Sequence, residues 1–549
     1  MNGLRRALAL FLSVSLLTIV PPQAAAAIEA NPIVRVGLLY GNDAKPGVNL
    51  QNEIGSGYRF GYMEGGVFVE VGRTDATKIS MVKNQNVYVT GQNGPLNSYT
   101  DSYETDVLIG AFHTEDGVKE SREAAELRAA ALRAEGRKAF VYYDRGHWGV
   151  RIDSFAASSS DGGGKTSGSG YCVTVVVAGT NDIIFQYDSH ALAKPLVVAP
   201  DVTGVGVPST HFNGRRYTGY FEYTRRDKNF ITVINVVNMQ DYVKGVVPYE
   251  VNPNWPIEAL KAQAVTARSY AVRSMGKHAS QGFDLCNTTH CQVYRGMGGA
   301  GPNSDRAVDE TYGQYLTYNG EICQTYYSAS NGGASEDSEN VWNEKIDYLR
   351  GVQDIYEDLS RTSDGVWTHT LTNADLTTLL NRSGDSNSGI VDFYVSQRTK
   401  MGNVYEVTFV DSSGKKITRR KNATRMTSLG INSMRYSING EITGLAAIDA
   451  SGQTSAKQGE SVWVVGADGE VTEKSLQGDI YMMTANGLAV VPKVQDPDVK
   501  PGVYIVSGRG NGHGVGMSQI GALCMADLGF TFDEILKFYY TGVEVTSGV

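Results

Sequence analysis

The sequence predicts a multidomain α+β protein with mixed, strand-rich domains and one long helix. Its 549 residues correspond to about three or four domains of ordinary size. Short β-type runs separated by Gly and Asn turns recur along the chain. Two segments, 121–136 and 254–278, instead show the helical spacing of Ala and Leu. Apolar residues make up 41% of the chain, which is enough to bury real cores.

Residues 1–27 have the composition of a signal peptide. Arg5 and Arg6 precede an apolar run of about 14 residues, and small residues at 24–27 offer cleavage sites. A membrane span needs roughly 20 apolar residues, so cleaved secretion is favoured over an uncleaved anchor. The mature protein is therefore predicted to act outside the membrane.

Residues 28–105 are predicted to form a β-rich N-terminal region, and residues 106–156 a β-α-β-β unit. The unit comprises a strand at 106–112, a helix at 121–136 and strands in KAFVYYDRG and HWGVRIDSF. Ala124, Leu127 and Ala131 share one face of that helix. The unit is either a generic α+β module or a SPOR-like domain, which it resembles in its G-x-F and V-x-I-x-x-F strand ends. The resemblance implies binding to peptidoglycan glycan strands.

Residues 157–203 are predicted to be a linker with connecting strands, because 157–170 read ASSSDGGGKTSGSG. The GKTS in this stretch does not predict a nucleotide site. A phosphate-binding loop needs a glycine five residues before the one that precedes the lysine, and that position is Ser159. A net charge of −9 also argues against nucleic-acid binding, which requires a basic face.

Residues 204–549 are predicted to form one large strand-rich domain built around the long helix. Asn254 is the expected N-cap of that helix, and Pro256 suits its first turn. The segment at about 440–500 is predicted to be a β-rich insertion. Near the C-terminus, Thr531 and Glu534 have the spacing of a capping box that opens a further helix.

Glu250 is the first candidate for chemistry. It lies in VVPYEVNPNW, between an apolar strand and a turn bounded by prolines. Apolar surroundings disfavour the charged form of a carboxyl and raise its pKa toward the range of a general acid. A nearby helix N-terminus acts in the opposite direction. From position alone, a role in a turn or a cap is an equally open interpretation.

Four ordered motifs between residue 204 and the C-terminus resemble the SpoIID/LytB family of sporulation and autolysis proteins. They are DYVKGVVPYEVNPNWPIEALKAQAVTARSYA, DLCNTTHCQVYRG, YYSASNGG and GRGNGHGVGMSQIGA. The resemblance implies a lytic transglycosylase that cleaves the MurNAc–GlcNAc bond of glycan strands already stripped of their stem peptides. It also implies that Glu250 is the catalytic acid. One glutamate suffices for this reaction, because no water attacks and the product is a 1,6-anhydro sugar.

Matching to the family's motifs implies further residues that bind substrate: Lys261, Arg268, Ser328, Ser330, His513, Ser518 and Gln519. The two basic residues lie seven apart on one helix and are suited to sugar hydroxyls, acetamido groups or the lactyl carboxylate. The alternative for them is plain exposed helix charge. A strand and turn for the first two serines, and a structural role for the histidine, are the other open alternatives.

The stretch LCNTTHCQVYRG places Cys286, His290 and Cys291 within six positions. Two thiolates and an imidazole suit tetrahedral Zn²⁺ with a fourth position for water or substrate, whereas the two cysteines alone could form a disulfide or stay free. Some members of the family carry zinc at this motif, so zinc is the favoured prediction. No pairing is predicted for Cys172, Cys323 and Cys524.

Two functions of different class therefore follow from the resemblance. The first is a secreted or wall-associated transglycosylase, with peptidoglycan as its partner and an amidase acting upstream to remove the stem peptides. The second is an amidase enhancer of the LytB type that binds glycan and cleaves little.

Overall fold

The computed structural model describes residues 28–90, 98–100, 107–156, 165–201, 208–226, 230–299, 301–439 and 500–548, together with the backbone of six strands between 445 and 491. The predicted signal peptide, residues 1–27, lies outside the described residues. Within the described ranges, helices are all too short or too polar to cross a bilayer.

The strands are numbered in chain order. Those of the first half are β1 (Ile33–Leu39), β2 (Gly47–Ile54), β3 (Tyr58–Glu64), β4 (Val67–Thr74), β5 (Lys78–Lys83), β6 (Val87–Thr90), β7 (Ser98–Thr100), β8 (Leu108–Ile109), β9 (Phe112–Lys119), β10 (Ala139–Asp144), β11 (His147–Phe155), β12 (Lys165–Thr166), β13 (Val173–Val177), β14 (Ile183–Asp188), β15 (Leu196–Pro200), β16 (Ser209–Phe212), β17 (Arg215–Tyr217), β18 (Tyr220–Arg225) and β19 (Ile231–Asn238). Those of the second half are β20 (Leu285–Cys286), β21 (Gln314–Tyr318), β22 (Glu321–Ile322), β23 (Tyr327–Ser328), β24 (Val366–Thr372), β25 (Ile390–Arg398), β26 (Val404–Asp411), β27 (Lys416–Arg420), β28 (Arg435–Ile438), β29 (Leu445–Ile448), β30 (Thr454–Lys457), β31 (Ser461–Val465), β32 (Val471–Ser475), β33 (Ile480–Thr484), β34 (Gly487–Val491), β35 (Val503–Arg509), β36 (Met517–Ser518) and β37 (Glu544–Ser547).

The α-helices are α1 (Arg122–Ala134), α2 (Met239–Lys244), α3 (Val247–Glu250), α4 (Ile257–Arg273), α5 (Pro302–Glu310), α6 (Ser338–Val341), α7 (Asn373–Arg382), α8 (Gln519–Asp527) and α9 (Phe532–Tyr539). Short 3₁₀ turns occur at Gly41–Asp43, Ala279–Gln281, Gly296–Gly299, Leu359–Arg361, Lys421–Thr424 and Thr427–Leu429. This mixture of helices and sheets confirms the predicted α+β class.

Two large sheets each combine strands from both sides of the predicted boundary at residue 204. Among the described residues, one sheet has the order β20-β1-β19-β18-β15-β3-β4 and the other β12-β9-β11-β10-β14-β13-β5-β2-β16-β17. Strand β1 lies between β19 and β20, pairing antiparallel with the first and parallel with the second. The N-terminal region and the predicted linker therefore supply strands to sheets shared with the C-terminal half.

The predicted β-α-β-β order appears as β9, α1, β10 and β11, with two differences. The first strand runs from Phe112 to Lys119 instead of 106–112, and the sheet continues beyond the unit because β10 pairs parallel with β14. The helix also buries another face than the one predicted. Ala125, Ala129 and Leu132 are buried, whereas Leu127 is 75% exposed. The SPOR-like assignment stays a prediction.

Helix α4 is the long helix of the prediction, but it begins later and is buried more evenly. Pro256 occupies the N-cap position without a side-chain bond, so Asn254 is not the cap. Buried residues occur on every side of its middle turns, because α5, β21, α8 and α9 all pack against it. The helix therefore forms the centre of the C-terminal half.

A third region, beside the two large sheets and the α4 centre, is formed by β24 to β28, α7 and β35. Strands β24, β35 and β28 form one sheet, β25, β26 and β27 another, and the two share a core with α7. The described part of the predicted insertion consists of the antiparallel pairs β29–β30, β31–β32 and β33–β34. The predicted capping box of Thr531 and Glu534 is confirmed at the start of α9.

The two basic residues of α4 have structural surroundings. Arg268 is fully buried, and its guanidinium donates to the carbonyl oxygens of Gln314 and Val308 and to Oε1 of Gln240. Lys261 forms ion pairs with Glu258 at 2.9 Å and with Glu310 at 2.7 Å. These internal partners favour the structural alternative for both residues, although Nε of Arg268 is buried without a hydrogen-bond partner among the described residues, and their contact with substrate stays a prediction.

We expect Arg268→Met to destabilise the protein. The change removes the donor from three acceptors that then remain buried, which costs at least about 2 kcal/mol. Chemical denaturation should show this loss of unfolding free energy for Arg268→Met, with Arg273→Met as a control on the same helix. Unchanged stability combined with weaker binding of glycan would contradict the structural role and restore the substrate role.

Candidate active site

A cleft of about 690 Å³ brings together parts of all four motifs. Its lining residues are Glu250, Tyr270, Lys277, Thr289, His290, Cys291, Tyr326, Tyr327, Ser328, Ala329, Trp342, Arg425, Asn511, Gly512, His513 and Gln519. The sequence-predicted site residues that the fold places here are Glu250, His290, Cys291, Ser328, His513 and Gln519. Lys261, Arg268, Ser330, Ser518 and Cys286 are not among the lining residues.

Glu250 is the last residue of α3, and its carboxyl group is enclosed by hydrogen-bond donors. The backbone N–H of Val293 donates to Oε1 at 3.0 Å. The side chains of Tyr327 and Gln519 also hydrogen-bond to the carboxyl. Burial is the largest influence on the group and raises the pKa of Glu250 above its ordinary value, although these three bonds act in the opposite direction.

Tyr327 and Gln292 connect this carboxyl to the core. Gln292 donates from Nε2 to the Tyr327 hydroxyl oxygen at 3.1 Å, and its Oε1 accepts from the Tyr242 hydroxyl at 3.1 Å. Since the Tyr327 oxygen already accepts a bond, its own O–H is free to point at Glu250. Sequence reasoning missed Tyr327, although it stands next to Ser328 in the third motif.

The second half of the cleft is made where the third and fourth motifs meet. Strand β23 pairs parallel with β36, and Ser330 bridges to Asn511. Glycine is required on this side. Gly512 has φ +124°, and a Cβ there would lie 2.4 Å from Cβ of Ser328. Gly516 has φ +73°, and its Cβ would lie 2.1 Å from the carbonyl oxygen of Tyr326.

His513 lines the cleft, and its ring hydrogen-bonds two backbone groups. Nδ1 accepts from the N–H of Val515 at 3.1 Å, and the ring also hydrogen-bonds the backbone of Tyr327. Burial and the positive charge of Arg425 lower its pKa to about 3, so the imidazole is neutral. It therefore joins the two motifs and presents an uncharged ring edge to the cleft.

The predicted serines and Gln519 divide into lining and supporting residues. Ser518 is the N-cap of α8 and accepts from the N–H of Gly521, while its hydroxyl donates to Oε1 of Glu357 at 2.6 Å. Ser330 is buried behind the lining. Gln519 faces the cleft and donates from Nε2 to Oε1 of Gln263 at 3.3 Å. Ser328 therefore lines the cleft, whereas Ser330 and Ser518 are buried and do not line it.

A cluster of two cysteines and two histidines lies beside the cleft. His278, Cys286, His290 and Cys291 place their ligand atoms within 4.8 Å of one another. His278 is the candidate ligand that sequence reasoning missed. It follows the C-terminal end of α4, and it could supply the fourth ligand where water or substrate was expected. All five cysteines are free thiols, so the disulfide alternative is not observed.

The donor set and spacing suit zinc. Tetrahedral Zn²⁺ with sulfur and nitrogen ligands has ligand-to-ligand distances of about 3.3–3.8 Å. Nε2 of His278 lies 3.5 Å from Sγ of Cys291 and 3.2 Å from Nδ1 of His290, and Sγ of Cys286 lies 3.7 Å from the same Nδ1. The other nitrogen of His278, Nδ1, contacts Oε1 of Gln281 at 2.6 Å, which fixes the ring.

The electrostatics of the cluster favour a thiolate. A hydrogen bond from the Cys291 thiol lowers the pKa of Cys286 well below its ordinary value and raises that of Cys291 itself. Tyr40, just after β1, also hydrogen-bonds Cys286. Its ring packs against Phe283 at a centroid distance of 4.8 Å. The N-terminal region therefore contributes directly to this cluster.

Comparisons with known proteins indicate the same family as the sequence motifs. Residues 227–318 match the model of the Stage II sporulation protein (SpoIID) family. An uncharacterized protein of Brachyspira hyodysenteriae is 31% identical over 334 residues, which cover 61% of this chain and 73% of that protein. Stage II sporulation protein D of Bacillus subtilis is 26% identical over 325 residues, covering 56% of this chain and 75% of that protein.

An amidase enhancer of Bacillus subtilis is 28% identical over 322 residues. The match covers 56% of this chain but only 40% of that longer protein. Taken together with the relative matched over 73% of its length, these similarities show that the chain belongs to the SpoIID/LytB family.

Proposed function

We propose that this protein is a peptidoglycan lytic transglycosylase that cleaves the MurNAc–GlcNAc bond of peptide-stripped glycan strands. The observation that carries the proposal is the state of Glu250. Among the described residues that line the cleft, it is the one carboxylic acid, and its raised pKa keeps it able to donate a proton. A hydrolase would ordinarily need a second carboxyl to activate water or attack the sugar.

The reaction uses Glu250 twice. Its neutral carboxyl donates a proton to the glycosidic oxygen as the bond from that oxygen to C1 of MurNAc breaks, so GlcNAc leaves with a hydroxyl. The resulting carboxylate then accepts the proton of the MurNAc 6-hydroxyl as O6 bonds to C1. Glu250 ends protonated, and the product carries a 1,6-anhydro ring without any consumption of water.

The donors around Glu250 serve the charged stage of this cycle. The Val293 N–H and the Tyr327 and Gln519 side chains favour the carboxylate, whereas burial favours the acid. Because the two influences oppose each other, neither form is held irreversibly. Trp342 and Tyr326, with ring centroids 4.4 Å apart, supply flat apolar surface for sugar rings in the same cleft.

Zinc in the cluster of His278, Cys286, His290 and Cys291 is part of the proposal. With four protein ligands the ion would be structural, cross-linking the end of α4 to the segment that follows β20. Val293 lies two residues after Cys291, so the same segment presents its N–H to Glu250. The cluster would therefore hold the acid in place without entering the reaction.

The setting of the reaction follows from the same proposal. A chain that acts on glycan strands works outside the cytoplasmic membrane, secreted or associated with the wall, and an amidase must first remove the stem peptides. A second candidate is an amidase enhancer, which is the name of one relative from Bacillus subtilis. Glu250 favours the enzyme over the enhancer, since binding alone does not need a partly buried carboxyl with a raised pKa.

Glu250→Gln should abolish cleavage while preserving binding. The amide cannot transfer a proton, and loss of general acid catalysis lowers rates by on the order of 10²–10⁴-fold. The mature protein is incubated with amidase-treated peptidoglycan, and 1,6-anhydro ends are counted by mass spectrometry. If Glu250→Gln produces as many such ends as the wild type, the enzyme proposal is wrong. If the wild type produces none, the enzyme proposal is also wrong and the enhancer is favoured.

Stability of the wild type relative to Glu250→Gln should fall as pH rises. The folded pKa of Glu250 is raised above its unfolded value, so the folded state holds the proton through a range in which the unfolded state releases it. The contribution of the Glu250 carboxyl to the free energy of unfolding is complete below the ordinary pKa of glutamate, about 4.3. This contribution is lost as pH rises through the raised pKa of the folded state. Melting temperatures of both proteins across this window measure the difference, and parallel curves would contradict the shift.

Removal of one metal ligand should release zinc and loosen the cleft. Purified without chelator, the wild type is expected to contain one zinc per chain, and His278→Ala or Cys286→Ser much less. The melting temperature should fall by about 5 °C or more. Cys323→Ser, a buried thiol outside the cluster, is the matched control. A metal-free wild type would refute the zinc site, and stoichiometric zinc in His278→Ala would refute the fourth ligand.

A further inference from the structure

We propose that Arg425 recognises the lactyl carboxylate of MurNAc that removal of the stem peptide exposes, and thereby determines the preference for stripped strands. The inference rests on the proposed function, because it concerns the substrate of the same cleft. Arg425 belongs to the third region and lies between the 3₁₀ turns Lys421–Thr424 and Thr427–Leu429.

Arg425 lies in the lining of the same cleft as the proposed acid. Its side chain lines the cleft together with Glu250, Trp342 and His513. Its charge acts within the cleft, since it contributes to the lowered pKa of His513. The guanidinium is therefore placed to meet a substrate bound in this cleft.

The partners of Arg425 within the described residues are neutral. Nε donates to the carbonyl oxygen of Asn432 at 3.1 Å, and Nη1 donates to Oδ1 of Asn422 at 3.3 Å. Burial alone accounts for its lowered pKa, with no carboxylate raising it. A partly buried cation whose partners are all neutral has lost hydration without gaining an opposite charge, so an anionic ligand is strongly favoured there.

The two basic residues of α4 differ from Arg425 in this respect. Lys261 is neutralised by Glu258 and Glu310, and Arg268 is buried on backbone and amide oxygens of the core. The other cation in the cleft lining, Lys277, donates from Nζ to the carbonyl oxygen of His290 at 2.7 Å. While Glu250 is protonated, the cleft is therefore cationic within a chain of net charge −9.

The chemistry of the substrate supplies the matching charge. In a strand that retains its stem peptides, the lactyl carboxyl is a neutral amide. Hydrolysis of that amide by an amidase leaves a carboxylate on the sugar, so a negative charge at the lactyl group of MurNAc distinguishes stripped from unstripped strands. A guanidinium binds a carboxylate through two parallel N–H bonds, a geometry that an amide cannot reproduce.

The experiment compares two ligands of equal length that differ only in this charge. Stripped glycan oligomers are used with free carboxylates, or after conversion of each carboxylate to its methylamide. Binding is measured calorimetrically with Glu250→Gln, which does not consume them. We expect at least a tenfold preference for the free carboxylates, and Arg425→Gln in the same background should remove most of it by weakening that ligand alone.

Two further variants keep the test decisive. Arg425→Lys retains the charge but not the two-pronged geometry, so it should retain part of the preference. Arg420→Gln removes a charge five positions earlier, from a side chain paired with Glu406 outside the cleft, and should leave the preference intact. If Arg425→Gln does not fold, the binding preference of Arg425→Lys decides, and an undiminished preference overturns the proposal.

Other outcomes separate this inference from the proposed function. Equal binding of both ligands by Glu250→Gln, or equal weakening of both by Arg425→Gln, overturns the role of Arg425 even where the wild type makes 1,6-anhydro ends. An absence of those ends overturns the transglycosylase proposal, while a preference lost with Arg425→Gln would still establish recognition of the carboxylate.

Discussion

The hydrogen bond from the Val293 N–H to the Glu250 carboxyl is the contact on which the cleft depends. It joins α3 to the segment that follows the cysteine and histidine cluster, two stretches that lie 43 residues apart in sequence. A backbone donor has no side-chain freedom, so the orientation of Glu250 is determined by the path of the chain at Val293. That path depends in turn on Cys291 and on Gln292, whose side chain is anchored to Tyr242 and Tyr327.

Burial of Glu250 has a cost that the surrounding donors only partly offset. A carboxyl removed from water resists ionisation, and the raised pKa records that resistance. Completely apolar surroundings would hold the proton too tightly for the second half of the proposed reaction, which requires the carboxylate. Three donors around one partly buried carboxyl therefore balance its acidic and basic forms, which suits the two roles proposed for this residue.

Sequence reasoning anticipated the lining of the candidate site better than the arrangement of the sheets, and the physical reason is separation along the chain. Glu250, Cys286, His290 and Cys291 stand in short motifs whose residue types identify them. His278 lacked such a signal, because it lies eight positions before the first cysteine and only the turn after α4 brings it back. The basic pair of α4 misled because helical spacing predicts a shared face but not what covers it, and here α5 and β21 cover it. The shared sheets were not predicted for a similar reason, since β1 pairs with β19 about 200 residues away and no local pattern encodes such a pairing.

The cleft is assembled from stretches that lie far apart in the sequence. Tyr40 follows β1, yet it contacts Cys286 and packs on the ring of His278 at a centroid distance of 6.0 Å. Arg425 comes from the third region. The same region contributes Thr399 and Asn403, whose side chains donate hydrogen bonds to the buried carboxylate of Glu336. The backbone N–H of Glu336 in turn donates to the carbonyl oxygen of Gly514 in the fourth motif. The acid, its support and the substrate-facing cation thus come from three stretches that fold around one helix. Each of these stretches depends on contacts with the other two. The environment of Glu250 is therefore a property of the whole folded chain and not of the segment that carries the motif.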